Sequence, residues 1–124
     1  MRIAIIGTGA LACLFGARLS PHADVFMLGS WMRGIESIND RGIRVEDACQ
    51  IENVSVQAYL RSDTIPNADY ILILVKSWQT IAASSAALEI IGSEGFVITL
   101  QNGLGNFEKL SRRLGEDRVV AGVT

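Results

Sequence analysis

Histidine occurs once, at His22, and cysteine twice, at Cys13 and Cys49, with no CxxC spacing and no histidine beside either. Without such spacing neither a metal centre nor a paired redox site is expected, and both cysteines are read as reduced thiols. His22 has no acidic or nucleophilic partner placed beside it and is read as a solvated loop residue. The basic residues are two lysines and nine arginines scattered along the chain, the formal net charge is −2 and the sequence pI is near 5.3. No basic face for a nucleic-acid partner is expected from that distribution. No apolar run reaches the roughly 18 to 20 residues of a membrane span, and an early Gly-Thr-Gly interrupts what would otherwise pass for a signal peptide, so a cytoplasmic protein is expected. Internal repeats and linker-like stretches are missing too. What remains is a chain of 124 residues, 49% hydrophobic, long enough for one domain with a buried core.

The most informative stretch is at the start. Residues 3–6 are an unbroken apolar run rich in β-branched side chains, the pattern of a strand buried on both faces of a parallel sheet. Gly7-Thr8-Gly9-Ala10-Leu11-Ala12 follows at once, a G-x-G-x-x-A turn leading into a small-residue helix. In that pattern Gly7 permits the tight turn, Gly9 leaves space for a pyrophosphate against bare backbone, and Ala12 lets the helix approach the sheet. The free N–H groups and positive dipole end of the helix then attract the anion without a basic side chain. Within the helix Leu11, Phe15 and Leu19 make one apolar stripe, and Ala12 with Gly16 a second, smaller one.

Further along, residues 24–28 read as a strand, 31–40 as a helix closed by Arg41-Gly42, and 43–45 with 51–56 as a half-exposed hairpin or sheet edge. Residues 62–69 are turn-rich around Pro66, and residues 70–75 are the most apolar run of the chain, a buried strand ended by Lys76. A helix over 77–91, a break at Gly92 and Gly95, a strand over 96–100, a helix to Leu114 capped by Asn106 and a strand over 118–123 complete the alternation. Alternating strands and helices predict a doubly wound, Rossmann-like α/β domain spanning residues 1–124, with a mostly parallel sheet and helices on both faces.

Ligands of such sheets bind outside the carboxyl ends of the strands, where strand order reverses. Three loops fall there by that rule: Gly7 to Ala12, the segment at Lys76 and the segment at Asn102. A lysine just before a helix opposes the dipole at a cost of about 0.3 to 1 kcal/mol, which a bound phosphate or carboxylate would offset. Its plainer alternative is a lysine snorkelling from a strand end. Asn102-Gly103 has the plain reading of a turn, although a helix rather than a hairpin partner follows it. After the second strand, Gly-Ser-Trp-Met at positions 29–32 offers no carboxylate to hold both ribose hydroxyls of NAD. Ser30 and, one turn into the next helix, Arg33 can instead meet a 2′-phosphate, which favours NADP (NADPH) over NAD; Arg33 is as readily a solvated helix residue.

Taken together, the glycine-loop segment over residues 7–19, Val-Lys-Ser-Trp-Gln-Thr at 75–80 and Gln-Asn-Gly-Leu-Gly-Asn at 101–106 resemble the 2-dehydropantoate 2-reductase (ketopantoate reductase) family in order and spacing. The resemblance implies NADPH-dependent reduction of 2-dehydropantoate to pantoate, on the route to pantothenate and coenzyme A. It implies pyrophosphate binding by Gly7 to Ala12, Lys76 beside the nicotinamide ribose and the keto-acid substrate, and Asn102 in contact with both cofactor and substrate. Lys76 and Asn102 are thus the candidate catalytic residues. At Ser30 the family often has an arginine for the 2′-phosphate, so the cofactor preference rests here on Ser30 with Arg33. Members also carry a helical second domain that supplies a proton-donating lysine, and this chain ends before one. That domain is expected downstream, the isolated chain is expected to bind cofactor without turnover, and a homodimer through the second domain is left open. A dehydrogenase for another 2-keto acid and a non-catalytic dinucleotide-sensing domain are the alternatives; the latter would need only the glycine loop.

Overall fold

The computed structural model describes residues 1–60 and 64–124. Six strands form one parallel sheet: β1 (Arg2–Ile6), β2 (Asp24–Leu28), β5 (Gln57–Tyr59), β6 (Ala68–Ile73), β7 (Ile91–Thr99) and β8 (Val119–Ala121). Their order across the sheet is β5-β2-β1-β6-β7-β8, so β1 lies between β2 and β6 and the winding reverses beside it. Helices α1 (Ala10–Leu19) and α2 (Met32–Arg41) cover one face; α3 (Thr80–Ile90) and α4 (Asn106–Leu114) cover the other. The expected doubly wound, mostly parallel α/β architecture is present.

Burial explains which residues took which role. Ile3 to Ile6 on β1 and Ile71 to Ile73 on β6 are buried because helices close over both sides of the sheet centre. On α1 the small residues win the contact with the sheet: Ala12, Gly16 and Ala17 are buried, Phe15 and Leu19 are half-buried and Leu11 is exposed. A Cβ on Gly16 would come within 3.1 Å of the Met27 sulfur and 3.3 Å of Ile43 Cδ1, so the helix lies too close for the larger stripe to face inward.

Several boundaries differ from the sequence reading. The hairpin is real, with β3 (Ile43–Glu46) antiparallel to β4 (Ile51–Val54), but it forms a separate two-stranded sheet. The edge of the main sheet beside β2 is instead β5, which the pattern of residues missed. Its outer side is closed by Asn39 of α2, whose carboxamide donates to Ala58 O at 2.9 Å and accepts from Ala58 N at 2.8 Å, masking an edge that another chain would otherwise pair with. The turn reading at Ser62 lies outside the described residues, as does Asp63. Strand β6 begins at Ala68 and ends at Ile73, two residues earlier at each end than expected. The helix expected over 77–91 is a 3-10 turn, Ser77–Gln79, running into α3.

Gly92 and Gly95 do not break the chain: β7 runs through them with an irregular register against β6. Arg118 makes that possible by donating its guanidinium to the carbonyls of both Gly92 and Gly95, the latter at 3.0 Å. The last strand is shorter than expected, because a 3-10 turn, Glu116–Arg118, precedes β8.

Candidate functional site

The carboxyl edge of the sheet gathers the loops after β1, β2, β6 and β7. The glycine loop is braced from two sides. Gly7 donates its N–H to Leu28 O at 2.7 Å, and its φ of 136° places it in the half of backbone space that glycine occupies without penalty. A Cβ there would lie 3.1 Å from the carbonyl carbon and oxygen of Leu74, so the turn passes directly against the chain leaving β6. Gly9 is the opposite case: its φ is −78°, it is exposed, and a Cβ on it would meet nothing within 4 Å. It faces open space at the start of α1, where no side chain caps the helix and the first turn carries no carboxylate. A bare helix N-terminus beside an open glycine fits a pyrophosphate.

Thr8 and Cys13 complete this loop. The Thr8 side chain occupies the space where Gly29 would carry a Cβ, with Thr8 Cγ2 2.5 Å from that position, so the glycine loop and the turn after β2 touch. Cys13 donates its thiol to Thr8 O at 3.7 Å and is half-buried, and that burial pushes the thiol pKa up, away from nucleophilic or ligating use.

Beside this loop is a cleft of about 520 Å³ between the strand ends and α3. Ile6, Leu28, Val75 and Ala83 give it apolar walls, and Ser30 and Gln79 give it polar edges. The structure therefore places Ser30 in the cleft. Arg33 is exposed on the first turn of α2 and does not line it.

Lys76 is exposed in extended backbone, immediately before the 3-10 turn, and forms no ion pair among the described residues. Its neighbour Ser77 donates its hydroxyl to Asn102 O at 2.8 Å, which holds the segments carrying Lys76 and Asn102 together although they leave different strands. The Asn102 carbonyl is used in this way, whereas its exposed carboxamide makes no hydrogen bond within the described residues. Lys76 and Asn102 both lie outside the lining of the cleft.

Asn106 is not the helix cap that the sequence pattern predicts. Gly105, with φ 85°, precedes α4, and Asn106 is the first helical residue, 4% exposed, with its side chain turned inward. There it donates to Asn102 O at 3.1 Å and Gly103 O at 3.3 Å. Thr80 and Gln101 join it in a buried set of bonds that the sequence reading missed. The only signal was their place within the motif segments 75–80 and 101–106.

The family described as ketopantoate reductase PanE/ApbA matches residues 3–124. This chain belongs to that family. A 2-dehydropantoate 2-reductase of Pyrococcus horikoshii is 35% identical over 127 residues, covering all of this chain and 40% of that protein. Among solved structures, the 2-dehydropantoate 2-reductase of Geobacter metallireducens is 31% identical with a TM-score of 0.89, covering 99% of this chain and 41% of the other. A D-mandelate dehydrogenase solved with NADH and anilino(oxo)acetate shares the fold at a TM-score of 0.91 and 22% identity. The chain thus spans about two fifths of the length of the ketopantoate reductase relatives it matches.

Proposed function

We propose that this chain is the dinucleotide-binding part of an oxidoreductase that uses NADPH to reduce the 2-keto group of 2-dehydropantoate to pantoate. The observation that carries the reading is the meeting of three segments at one sheet edge. The open glycine loop, the cleft holding Ser30 and the bonded pair of segments bearing Lys76 and Asn102 all lie where the strand order reverses. The α1 N-terminus with Gly9 takes the pyrophosphate, the apolar cleft takes the adenosine half, and Ser30 with Arg33 meets the 2′-phosphate. When bound, NADPH supplies the hydride. Lys76 provides positive charge for the substrate's carboxylate or carbonyl, and the free carboxamide of Asn102 provides directed hydrogen bonds to cofactor and substrate. We assign no proton donor for the product alkoxide within these 124 residues, which cover 40% of a relative's length. General acid catalysis typically contributes 10² to 10⁴, so the chain alone binds cofactor and turns over slower by at least about that factor.

The test has two arms. NADPH and NADH are titrated into the 124-residue chain, and NADPH oxidation is followed in the full gene product with 2-dehydropantoate and with other 2-keto acids. Lys76→Ala and Asn102→Ala should each lower turnover by at least about tenfold, corresponding to one lost charge-assisted contact. Near-normal turnover by either variant removes that residue from the site, and faster reduction of another keto acid reassigns the substrate.

A further inference from the structure

Four side chains at the sheet edge are bonded to one another. Thr80 is fully buried and Asn106 nearly so, although both are polar. The Thr80 hydroxyl accepts from Gln101 Nε2 at 3.0 Å and has Asn106 Oδ1 at 3.0 Å and Ser77 O at 2.9 Å as acceptors for its proton. Gln101 Nε2 also donates to Val75 O at 2.8 Å, on the peptide that leads into Lys76, while Gln101 Oε1 accepts from Thr99 Oγ1 at 3.0 Å. Asn106 Nδ2 donates to the carbonyls of Asn102 and Gly103. Gln101 Nε2 is thus spent on Val75 O and Thr80, and Asn106 Nδ2 on the Asn102 and Gly103 carbonyls and, at 3.4 Å, on Ser77 Oγ; the Thr80 hydroxyl is the group that both carboxamides share. Buried polar groups satisfied this fully leave little freedom to the loops they hold.

We infer that Thr80 is a positioning residue of the dinucleotide site, locking the segment that bears Lys76 against the segment that bears Asn102. The inference rests on the cofactor reading above. It adds a hub that touches neither ligand: Thr80 acts through Gln101 on Val75–Lys76 and through Asn106 on Asn102. Valine at this position keeps the shape and removes the hydroxyl, leaving Gln101 and Asn106 each without one partner. Serine keeps the hydroxyl.

Hydrogen exchange, which involves no ligand, is measured at the amides of residues 75–77 and 102–105 in the protein, Thr80→Val and Thr80→Ser. NADPH and adenosine 2′,5′-bisphosphate are titrated into the same proteins, into Asn102→Ala and into the Thr80→Val/Asn102→Ala double variant. Thr80→Val should speed exchange in both segments, weaken NADPH by roughly tenfold and leave the bisphosphate, which lacks the nicotinamide half, unchanged. Thr80→Ser should restore all three, and the double variant should bind NADPH more weakly than Asn102→Ala, through the Lys76 segment, but less weakly than the two single losses combined. A lowered melting temperature with unchanged exchange in these segments and unchanged NADPH affinity would make Thr80 merely structural and overturn the inference, as would full additivity in the double variant. If Asn102→Ala leaves NADPH affinity intact, the cofactor reading of Asn102 fails, and the exchange data still decide whether Thr80 couples the segments. Should Thr80→Val not fold, Gln101→Met at its half-buried position breaks the same net and is read by the same criteria.

Discussion

Gly7 and Gly9 are two residues apart in one motif, yet the structure makes opposite demands of them, and alanine at each should separate folding from binding. At Gly7 the backbone has φ 136° and an added methyl would press to 3.1 Å on the Leu74 carbonyl, which is backbone and cannot rotate away. Strain at such a φ costs about 1 to 3 kcal/mol. Crowding a packed interior costs a further 1 to 3 kcal/mol or so. The sum is about 2 to 6 kcal/mol, or roughly 8 to 24 °C in melting temperature at about 4 °C per kcal/mol for a domain of this size. At Gly9, φ is −78° and the methyl meets nothing within 4 Å. Alanine there gains about 0.4 to 1 kcal/mol from a less flexible unfolded chain and loses about the same by being a poorer helix cap, so stability should move by less than about 0.5 kcal/mol. On the cofactor reading proposed above, however, the methyl stands where the phosphate approaches. One lost charge-assisted bond from backbone N–H is worth about 1.5 to 3 kcal/mol, or roughly ten- to a hundredfold in NADPH affinity. Thermal melting by circular dichroism and a fluorescence titration with NADPH read the two effects separately. A Gly9→Ala protein that melts as early as Gly7→Ala, or that binds NADPH as tightly as the parent, would refute the division of labour.

Cofactor choice should show in Arg33→Ala, which is expected to leave NADH affinity alone and to remove most of an NADPH preference of about tenfold, the lower end for a charge-assisted contact because Arg33 is exposed; equal dissociation constants for NADPH and NADH in the parent protein would contradict it. The Asp47 carboxylate accepts the N–H of Cys49 at 2.8 Å and of Gln50 at 3.0 Å and faces Arg18 at 3.9 Å, and these contacts, the backbone bonds foremost, hold its pKa below the ordinary carboxylate value. A depressed folded pKa stabilises above the unfolded value and loses that contribution as pH falls through the folded one. The gap in melting temperature between the protein and Asp47→Asn should therefore be full near neutrality and close in acid; a gap that widens on acidification would reverse the assignment.

Much of this arrangement is legible in the sequence because its strongest signals are local. The apolar run before Gly7, the glycine spacing and the alternation of strand and helix specify β1, α1 and the sheet class with no knowledge of contacts. The readings that failed are those decided by tertiary partners. Strand β5 has three residues and owes its place to β2 on one side and Asn39 on the other, neither of which its composition announces. Gly92 and Gly95 look like breakers until Arg118 is brought against their carbonyls. Asn106 carries a helix-capping signature, and only the proximity of Thr80 and Asn102 turns its side chain inward. That the segments at Lys76 and Asn102 meet follows from the sheet rule, whereas the Ser77 hydroxyl that ties them together is a detail of packing.

The bracing of Gly7 by both neighbours of β1 also sets an order of assembly. Its N–H bond needs the end of β2, and its close wall, Leu74, arrives only with β6, while the Arg2 N–H bond to Asp69 closes a span of 67 positions. Closing a loop of that length must be completed before the Leu74 and Asp69 contacts return any free energy, and parallel strands offer no shorter route. The first 60 residues of a growing chain hold the whole glycine motif and its helix but only one side of its cradle. On the cofactor reading above, the glycine loop is walled on both sides only after β6 has docked, whereas the Gly7 amide, bonded to Leu28 O, should already gain its protection from exchange with β2.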